Sequence, residues 1–218
     1  MKPLNKSIQI ACDGGGATGK STGAKMISKK YKLKFLSSGL LYRYASFVLL
    51  KHKPKNQLYF LKNKFTKLNY KKLDKINLHT PVISKYSSII AKNIKIRNIL
   101  KNFQINFSKI NKNCCIEGRD ISTKILPHSD VKFYFKCALN KAAARRHKEL
   151  KKIDPAIKLN EVKKALKARN LLDTKRKHSP LLKHRNSVEI DTGKLNKQAM
   201  LKKMSKYIDK VLLKKYAS

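Results

Sequence analysis

The sequence predicts an α/β fold in which a five-stranded parallel sheet is flanked by helices. Short apolar runs of strand length alternate with longer segments of helical spacing, as in parallel sheets joined by crossover helices. At 218 residues, 41% of them hydrophobic, the chain suffices for one domain with a buried core. Residues 51–112, which are rich in lysine and asparagine between residues 52 and 78, interrupt the alternation and are predicted to be a mainly helical insert.

The alternation begins before the insert. Residues 7–12 form an apolar run that ends at a glycine cluster, which is typical of a buried strand. Residues 20–31 are then predicted as a helix, 33–36 as a second strand and 39–50 as a second helix. This β-α-β-α order indicates a parallel sheet.

The insert combines aromatic side chains with lysines between residues 52 and 78, followed by helical spacing over 80–107. The aromatic residues are Tyr59, Phe60, Phe65 and Tyr70. Aromatic residues among lysines can stack on nucleic-acid bases. Packing within a small hydrophobic core is the interpretation we favour.

The α/β alternation returns after the insert. The strands are predicted at 114–117, 131–135 and 187–190, and the helices at 140–151, 160–172 and 196–213. The pair Asp154-Pro155 separates the first two of these helices, because proline interrupts a helical hydrogen-bond ladder.

The charge balance is strongly basic, with 53 Lys and Arg against 12 Asp and Glu and a net charge of +41. One interpretation is a nucleic-acid or anionic-membrane binder. The other is compositional drift, since lysine, asparagine and isoleucine are abundant and the basic residues are spread along the whole chain. We favour drift, and expect non-specific polyanion binding at low salt without a dedicated nucleic-acid or membrane partner.

The sequence gives little indication of disulfide bonds, cysteine metal sites, a signal peptide or a membrane span. Cys12, Cys114, Cys115 and Cys137 form no C-x-x-C pair and read as small buried hydrophobic residues. The amino-terminal residues lack the apolar segment of a signal peptide, and no apolar run approaches the roughly 18 residues of a membrane span. A soluble, cytoplasmic protein is expected.

A phosphate-binding loop follows the first predicted strand. The segment Gly14-Gly15-Gly16-Ala17-Thr18-Gly19-Lys20-Ser21 fits G-x-x-x-x-G-K-[ST] at every fixed position and opens a predicted helix. Backbone N–H groups and the helix N-terminus would surround the phosphates of a nucleotide, Lys20 would reach its β- and γ-phosphates, and the Ser21 hydroxyl would bind Mg²⁺. The predicted phosphate contacts are Gly14, Gly15, Gly16, Ala17, Thr18, Gly19, Lys20, Ser21 and Thr22. Gly23 is unexpected, because glycine inside a helix costs about 1 kcal/mol relative to alanine.

A second polar motif lies where the second strand passes into its helix, at Ser37-Ser38-Gly39-Leu40-Leu41-Tyr42-Arg43. It places the Ser38 hydroxyl and the Arg43 guanidinium near the carboxyl edge of the sheet, where open α/β sheets bind ligands. Arginine matches a phosphate with two hydrogen bonds. The alternative is an arginine on an exposed helix face.

Together these motifs resemble the nucleoside monophosphate kinases. Glu117-Gly118-Arg119-Asp120-Ile121, followed by Pro127, is similar to the bacterial cytidylate kinases in particular. Further matches, in order and approximate spacing, are Arg169, Asp173, Arg176, Ser179-Pro180-Leu181 and Ile190-Asp191-Thr192. The resemblance covers nearly the whole chain.

The resemblance implies a P-loop NTPase-like core of residues 1–50 and 113–218, an NMP-binding insert of residues 51–112 and a small mobile lid at about 146–170. It implies Mg²⁺-dependent transfer of the ATP γ-phosphate to CMP or dCMP by a monomer. The residues implied to bind CMP are Ser38, Arg43, Ser88, Arg97, Arg119, Asp120, Arg169, Asp173 and Arg176. Those implied to act in catalysis are Lys20, Arg43, Arg119 and Arg176.

Individual roles also follow from the resemblance. Ser38 and Arg43 would hold the acceptor nucleotide and its phosphate, Arg119 would contact that phosphate, and Asp120 would lie near the cytosine. Asp173 would bind the ribose hydroxyls with Arg169 and Arg176 nearby, while Ser88 and Arg97 would read the base. Arg145 and Arg146 are either ATP contacts or part of a solvated helix face.

The chain departs from the family pattern at several positions. Ser37 stands where the family has an aspartate, so a carboxylate that could position Mg²⁺ is absent there. Gly15 replaces a frequent proline. Asn170, Leu171 and Leu172 replace charged residues, so the lid hinge is expected to be less tightly tied. The insert is also short.

Three alternatives remain open. The first is another small P-loop kinase of the adenylate kinase type, against which the G-R-D and S-P-L elements count. The second is a basic nucleic-acid-binding protein, supported by charge alone. The third is a degenerate kinase, against which the intact Gly19-Lys20-Ser21 counts.

Overall fold

The computed structural model describes residues 7–217, and in it five parallel strands form one sheet. The strands are β1 (Gln9–Gly14), β2 (Lys34–Ser37), β3 (Cys114–Gly118), β4 (Val131–Lys136) and β5 (Val188–Asp191). Their spatial order is β2-β3-β1-β4-β5. The predicted five-stranded parallel sheet is therefore confirmed, and each strand lies within two residues of its predicted bounds.

Helices connect and cover the strands. They are α1 (Lys20–Lys30), α2 (Ser38–His52), α3 (Gln57–Thr66), α4 (Pro81–Ile90), α5 (Ile94–Ile110), α6 (Leu139–Leu150), α7 (Leu159–Lys175) and α8 (Lys197–Ala217). A 3-10 turn spans Tyr70–Lys75, and a π-helical turn spans Ile121–Ile125. Among the residues described between β2 and β3, all regular structure is helical.

Capping residues explain the helix starts in the insert. The side chains of Asn56 and Thr80 accept hydrogen bonds from the first turns of α3 and α4, and Pro81 occupies the first turn of α4. Asn93 accepts from Lys95 and Ile96 and so starts a new helix. The stretch 80–107 is consequently two helices.

The two faces of the sheet bury separate hydrophobic clusters, because successive side chains of a strand point to opposite faces. Cys12 and Cys115 lie in the cluster covered by α1 and α8. Cys114 lies in the other, which is covered by α2 and the insert helices. These three cysteines are buried, Cys137 is half-buried, and all four are free thiols.

The insert shares its core with the sheet. Leu61 and Phe65 of α3 belong to the same cluster as Ile116 of β3. The Phe65 ring makes edge contacts with Tyr44 and Phe103, with centroids 5.9 and 5.7 Å away. The insert aromatics therefore pack in or against this shared core, apart from the exposed Tyr59.

Gly23 has a packing reason inside α1. A methyl group added there would lie 2.8 Å from the Phe135 ring and 3.3 Å from the Met200 sulfur. The missing side chain lets α1 approach both β4 and α8, which offsets the helical cost of glycine.

Within residues 7–217, no helix combines the length and the apolar character that a membrane span requires.

Candidate active site

An open cleft of about 960 Å³ lies at the carboxyl ends of the strands, near the upper end of the roughly 300–1,000 Å³ usual for ligand sites. Every site residue predicted from sequence lines it except Gly14 and Gly15. A methyl group on Gly14 would lie 2.4 Å from the Phe135 carbonyl oxygen, so this glycine is needed beneath the loop. The sequence motifs thus converge on one cleft.

The phosphate loop joins β1 to α1 in a conformation that few residues adopt. Gly19, at the N-cap of α1, has φ of 77°, and Ala17 has φ of 54°. No side chain caps α1, so its first N–H groups remain available to an anion. Thr18 Oγ1 donates to the Gly15 carbonyl at 3.0 Å and stiffens the turn.

Lys20 is buried at the base of the loop. Its Nζ lies 3.3 Å from the Gly15 carbonyl oxygen and 3.6 Å from Glu117 Oε2. Burial lowers the pKa of Lys20 to about 8; Arg119 lowers it further while Glu117 opposes the shift. The lysine is therefore poised to gain from an anionic ligand.

Glu117, at the end of β3, belongs to a motif recognised in the sequence but was assigned no role there, and it lines the cleft. Ser37 Oγ donates to Glu117 Oε1 at 2.5 Å, while Oε2 is buried without a hydrogen-bond partner. Burial raises the pKa of Glu117, but Lys20 and the Ser37 and Ser21 hydroxyls outweigh it, so the pKa lies below its ordinary value. Glutamate at the end of a buried apolar strand was the available signal.

The role of Ser37 differs from what its substitution suggested. Its hydroxyl both binds Glu117 and accepts from the Leu40 N–H at 3.3 Å, which caps α2. The neighbouring strand therefore supplies a carboxylate at this edge although residue 37 does not.

Two carboxylates organise the arginines on the acceptor side. Asp173 accepts from Arg119 Nε at 2.8 Å and from Arg176 Nη1 at 3.4 Å. Burial raises the pKa of Asp173, but Arg119, Arg169 and Arg176 outweigh it and hold the pKa low. Asp120 pairs with Arg97 at 2.5 Å and lies 3.8 Å from Arg176. Residues far apart in sequence thus form one ion-pair network.

Asp13 was missed as well. It is fully buried and accepts hydrogen bonds from the N–H groups of Ile121 and Ser122, at 2.8 and 2.7 Å, and from the Ser122 hydroxyl at 2.6 Å. Burial raises the pKa of Asp13 to about 6 even though these bonds oppose the shift. Asp13 thereby joins the end of β1 to the segment that follows Arg119 and Asp120.

Residues from the insert form the opposite wall. Arg43 donates to the Leu78 carbonyl at 2.9 Å and to Ser84 Oγ at 2.7 Å, and burial lowers its pKa to about 9. Ser88 Oγ donates to the Ser84 carbonyl at 3.3 Å, and the Arg97 guanidinium lies 5.6 Å from the Tyr42 ring centroid. Arg43 therefore links α2 to the insert.

Arg145 and Arg146 both line the cleft from α6. Arg145 donates to Thr192 Oγ1 at 2.8 Å, and that hydroxyl donates to the Thr18 carbonyl of the phosphate loop at 2.9 Å. Arg146 donates to Glu149 and, at 3.4 Å, to the His79 carbonyl of the insert. Both arginines thus tie α6 to other walls of the cleft.

Asn170, one of the residues for which a loosely tied lid hinge was expected, makes a contact that the sequence did not indicate. Asn170 of α7 accepts a hydrogen bond from the Gly16 N–H at 2.9 Å. The amide that replaces a charged residue therefore holds α7 against the phosphate loop.

Cationic side chains dominate the lining of the cleft. They are Lys20, Arg43, Arg97, Arg119, Arg145, Arg146, Lys148, Lys152, Arg169, Arg176 and Lys197, against the carboxylates of Glu117, Asp120, Glu149 and Asp173. Arg169 Nε is buried without a hydrogen-bond partner, and burial lowers the pKa of Arg169 to about 10. Buried cations without full compensation favour a polyanionic ligand.

The oxygen donors near Lys20 suit Mg²⁺. The Ser21 hydroxyl and Glu117 Oε2, which lies 3.6 Å from Lys20 Nζ, are both at the cleft base. No cluster of three His, Cys, Asp or Glu capable of holding a metal exists among residues 7–217. A magnesium ion held by few protein oxygens, waters and substrate phosphates fits this donor set.

Comparison with known proteins gives a consistent result. The family model for cytidylate kinase matches residues 10–210. A cytidylate kinase of Bartonella tribocorum is 33% identical over an alignment of 212 positions that covers 95% of this chain and 97% of the relative. A cytidylate kinase of Fusobacterium nucleatum is also 33% identical, over 94% of this chain and 99% of the relative.

A crystal structure of an uncharacterized protein from Eubacterium ventriosum shares the fold. It has a TM-score of 0.57 at 18% identity and covers 94% of this chain and 99% of its own.

Proposed function

The chain belongs to the cytidylate kinase family, and from that premise we propose that it transfers the γ-phosphate of ATP to CMP and dCMP, giving ADP and the diphosphate. The observation that carries the proposal is the meeting of the phosphate loop, Lys20 and the Asp120–Asp173 arginine network in one cleft. The loop accounts for the donor, and the network accounts for the acceptor.

Catalysis in this cleft rests on position and charge. The attacking oxygen of a nucleoside monophosphate is already anionic at neutral pH, so no strong general base is required. Lys20, Arg119 and Arg169 line the same cleft, where burial and then the Arg119 charge lower the pKa of both Lys20 and Arg169. We propose that these groups, with Arg43 and Arg176, stabilise the charge on the transferring phosphoryl group.

We propose that the acceptor nucleotide binds to the same groups that form the ion pairs of the cleft. Asp173 now holds Arg119 and Arg176, and we propose that it also accepts from the ribose hydroxyls. The two arginines can then turn donors toward the acceptor phosphate while Asp173 keeps them placed. Ser38, buried beside them at the start of α2, completes the nucleotide contact.

Base recognition is proposed for the wall facing the insert. Carboxylates accept from the amino group of cytosine, which suits Asp120. Arg97 is fixed by Asp120 and by the Ala91 carbonyl at 3.2 Å, so its remaining donors have a defined direction. Ser88 lines the same wall.

Mg²⁺ is proposed as the cofactor with ATP. Ser21 would bind the ion directly, and Glu117 would hold its waters. When bound, the ion supplies charge neutralisation on the ATP phosphates. The short Ser37 hydrogen bond keeps Glu117 in place for this task.

We further propose a cytoplasmic monomer. The four free cysteines suit a reducing compartment. The basic surface would attract phosphorylated substrates and bind other polyanions without selectivity. The predicted core, insert and lid boundaries stand as part of this proposal.

Following labelled phosphate tests the function. The protein is incubated with Mg-ATP labelled at the γ-phosphate and with CMP. Label recovered in CDP supports the proposal. Label recovered only in inorganic phosphate, or retained in ATP, would count against it.

Asp173→Ala should raise the KM for CMP about tenfold or more and leave the KM for ATP within about twofold, because the carboxylate is assigned to the acceptor side alone. Steady-state kinetics with each substrate varied in turn provides the measurement. Glu149→Ala, a mostly exposed carboxylate at the cleft rim, is the matched control. Equal effects on both constants would argue against a ribose contact.

ATP binding should weaken in alkali. Because burial lowers the pKa of Lys20 to about 8, the free enzyme loses the positive charge of this lysine above pH 8. The phosphates favour the protonated lysine, so we expect the KM for ATP to rise about tenfold between pH 7 and pH 9. A KM for ATP that stays flat over this range would contradict the assignment.

A further inference from the structure

The phosphate loop is engaged by a side chain from the lid region. The Gly16 N–H donates to Asn170 Oδ1 at 2.9 Å, across 154 residues of sequence. A methyl group on Gly15 would lie 3.2 Å from the same amide oxygen. The side chain therefore rests directly on the glycines of the loop.

A second residue of α7, Leu166, also contacts the phosphate loop. A methyl group on Gly16 would lie 2.5 Å from Leu166 Cδ1, one helical turn before Asn170. Leu166 is buried in a small cluster with Ala142 and Ala143, and Ala17 of the loop packs against that cluster. Helix α7 thus covers the outer side of the phosphate loop.

The contact between α7 and the phosphate loop brings two positive charges, Arg169 and Lys20, near each other. Arg169 lies near enough to Lys20 to lower the pKa of that lysine. Asn170 is uncharged, so its hydrogen bond adds attraction to the loop without adding charge. An N–H bonded to Asn170 cannot at the same time be given fully to a phosphate oxygen.

We propose that Asn170 is a positioning residue that occupies the Gly16 N–H until ATP arrives, so that the ATP phosphates must displace the Asn170 side chain of α7 from the phosphate loop. The inference rests on the proposed role of the loop in binding ATP. Only the fraction of protein molecules in which Asn170 has left the Gly16 N–H can then bind ATP fully. The apparent affinity for ATP is reduced by that fraction.

Calorimetric titration of Mg-ATP, without acceptor, tests the proposal. Asn170→Ala should bind Mg-ATP about fivefold more tightly than the wild type, the factor that one ordinary hydrogen bond represents. Asn170→Asp should bind more weakly, because a carboxylate accepts the N–H more strongly and repels the phosphates. Inorganic tripolyphosphate, used as a second probe, should show the same order.

The control is Thr174→Ala, one turn further along α7, whose hydroxyl bonds only within the helix. It should bind Mg-ATP as the wild type does. Unchanged or weaker binding by Asn170→Ala would overturn the proposal, as would tighter binding by Asn170→Asp. Failure of the wild type itself to bind Mg-ATP would instead count against the proposed function.

Discussion

Replacing Lys20 by alanine is expected to lower kcat at least about a hundredfold, a loss of about 3 kcal/mol or more of transition-state stabilisation. Lys20 is the cation buried at the base of the phosphate loop, 3.3 Å from the Gly15 carbonyl oxygen. Its charge cannot be replaced by water, because the site is closed on that side by Glu117 and the sheet. Stopped-time assays of CDP formation give the measurement.

The control for this variant lies on the same helix. Lys25→Ala removes a mostly exposed lysine that pairs with Asp74 at 3.8 Å, and it should leave kcat unchanged, since exposed pairs contribute little. Circular dichroism checks folding, because loss of Lys20 leaves the buried Glu117 without its cation. A folded Lys20→Ala variant with near-normal turnover would refute the assigned role of the loop lysine.

Arg169→Met is expected to lower kcat by about a hundredfold without lowering the thermal stability of the protein. Removal of one donor aimed at developing charge has effects of this size. The stability expectation rests on Arg169 Nε, which is buried without a hydrogen-bond partner, and on the burial that lowers the pKa of this guanidinium. Methionine retains most of the side-chain volume while removing a desolvated charge that Asp173 offsets only in part.

Two measurements separate the effects in this variant. Thermal unfolding without nucleotide should give a midpoint equal to or above that of the wild type, and kcat should fall. Arg185→Met, at an exposed position away from the cleft, should change neither. A large drop in the unfolding midpoint of Arg169→Met would show that the arginine serves the fold rather than the reaction.

Features that depend on local sequence were predicted well. The strands were placed within two residues because apolar runs bounded by polar residues are a local signal. The phosphate loop was predicted because its conformation requires glycines at fixed positions, as the φ of Gly19 illustrates. The break between α4 and α5 was missed because helical spacing continues across Asn93, which acts as a cap.

Features that depend on contacts between residues far apart in the sequence were not predicted. Glu117 acquires its surroundings from Ser37, 80 residues earlier, and Asn170 from Gly16, 154 residues earlier. Asp13 accepts a hydrogen bond from a π-helical turn, and the hydrophobic periodicity of the sequence did not predict that turn. A single sequence gives no distances between such residues, so only the fold reveals them.

The most direct test of the function is ADP release from Mg-ATP with CMP, dCMP, UMP, AMP and GMP offered separately. We predict that kcat/KM for CMP and dCMP exceeds that for AMP and GMP at least about a hundredfold, because a site that hydrogen-bonds the base leaves its polar groups unpaired with the wrong one. UMP should also be a poor acceptor, since it lacks the amino group assigned to Asp120. Fastest release with another monophosphate, or release with none of the five, would contradict the account.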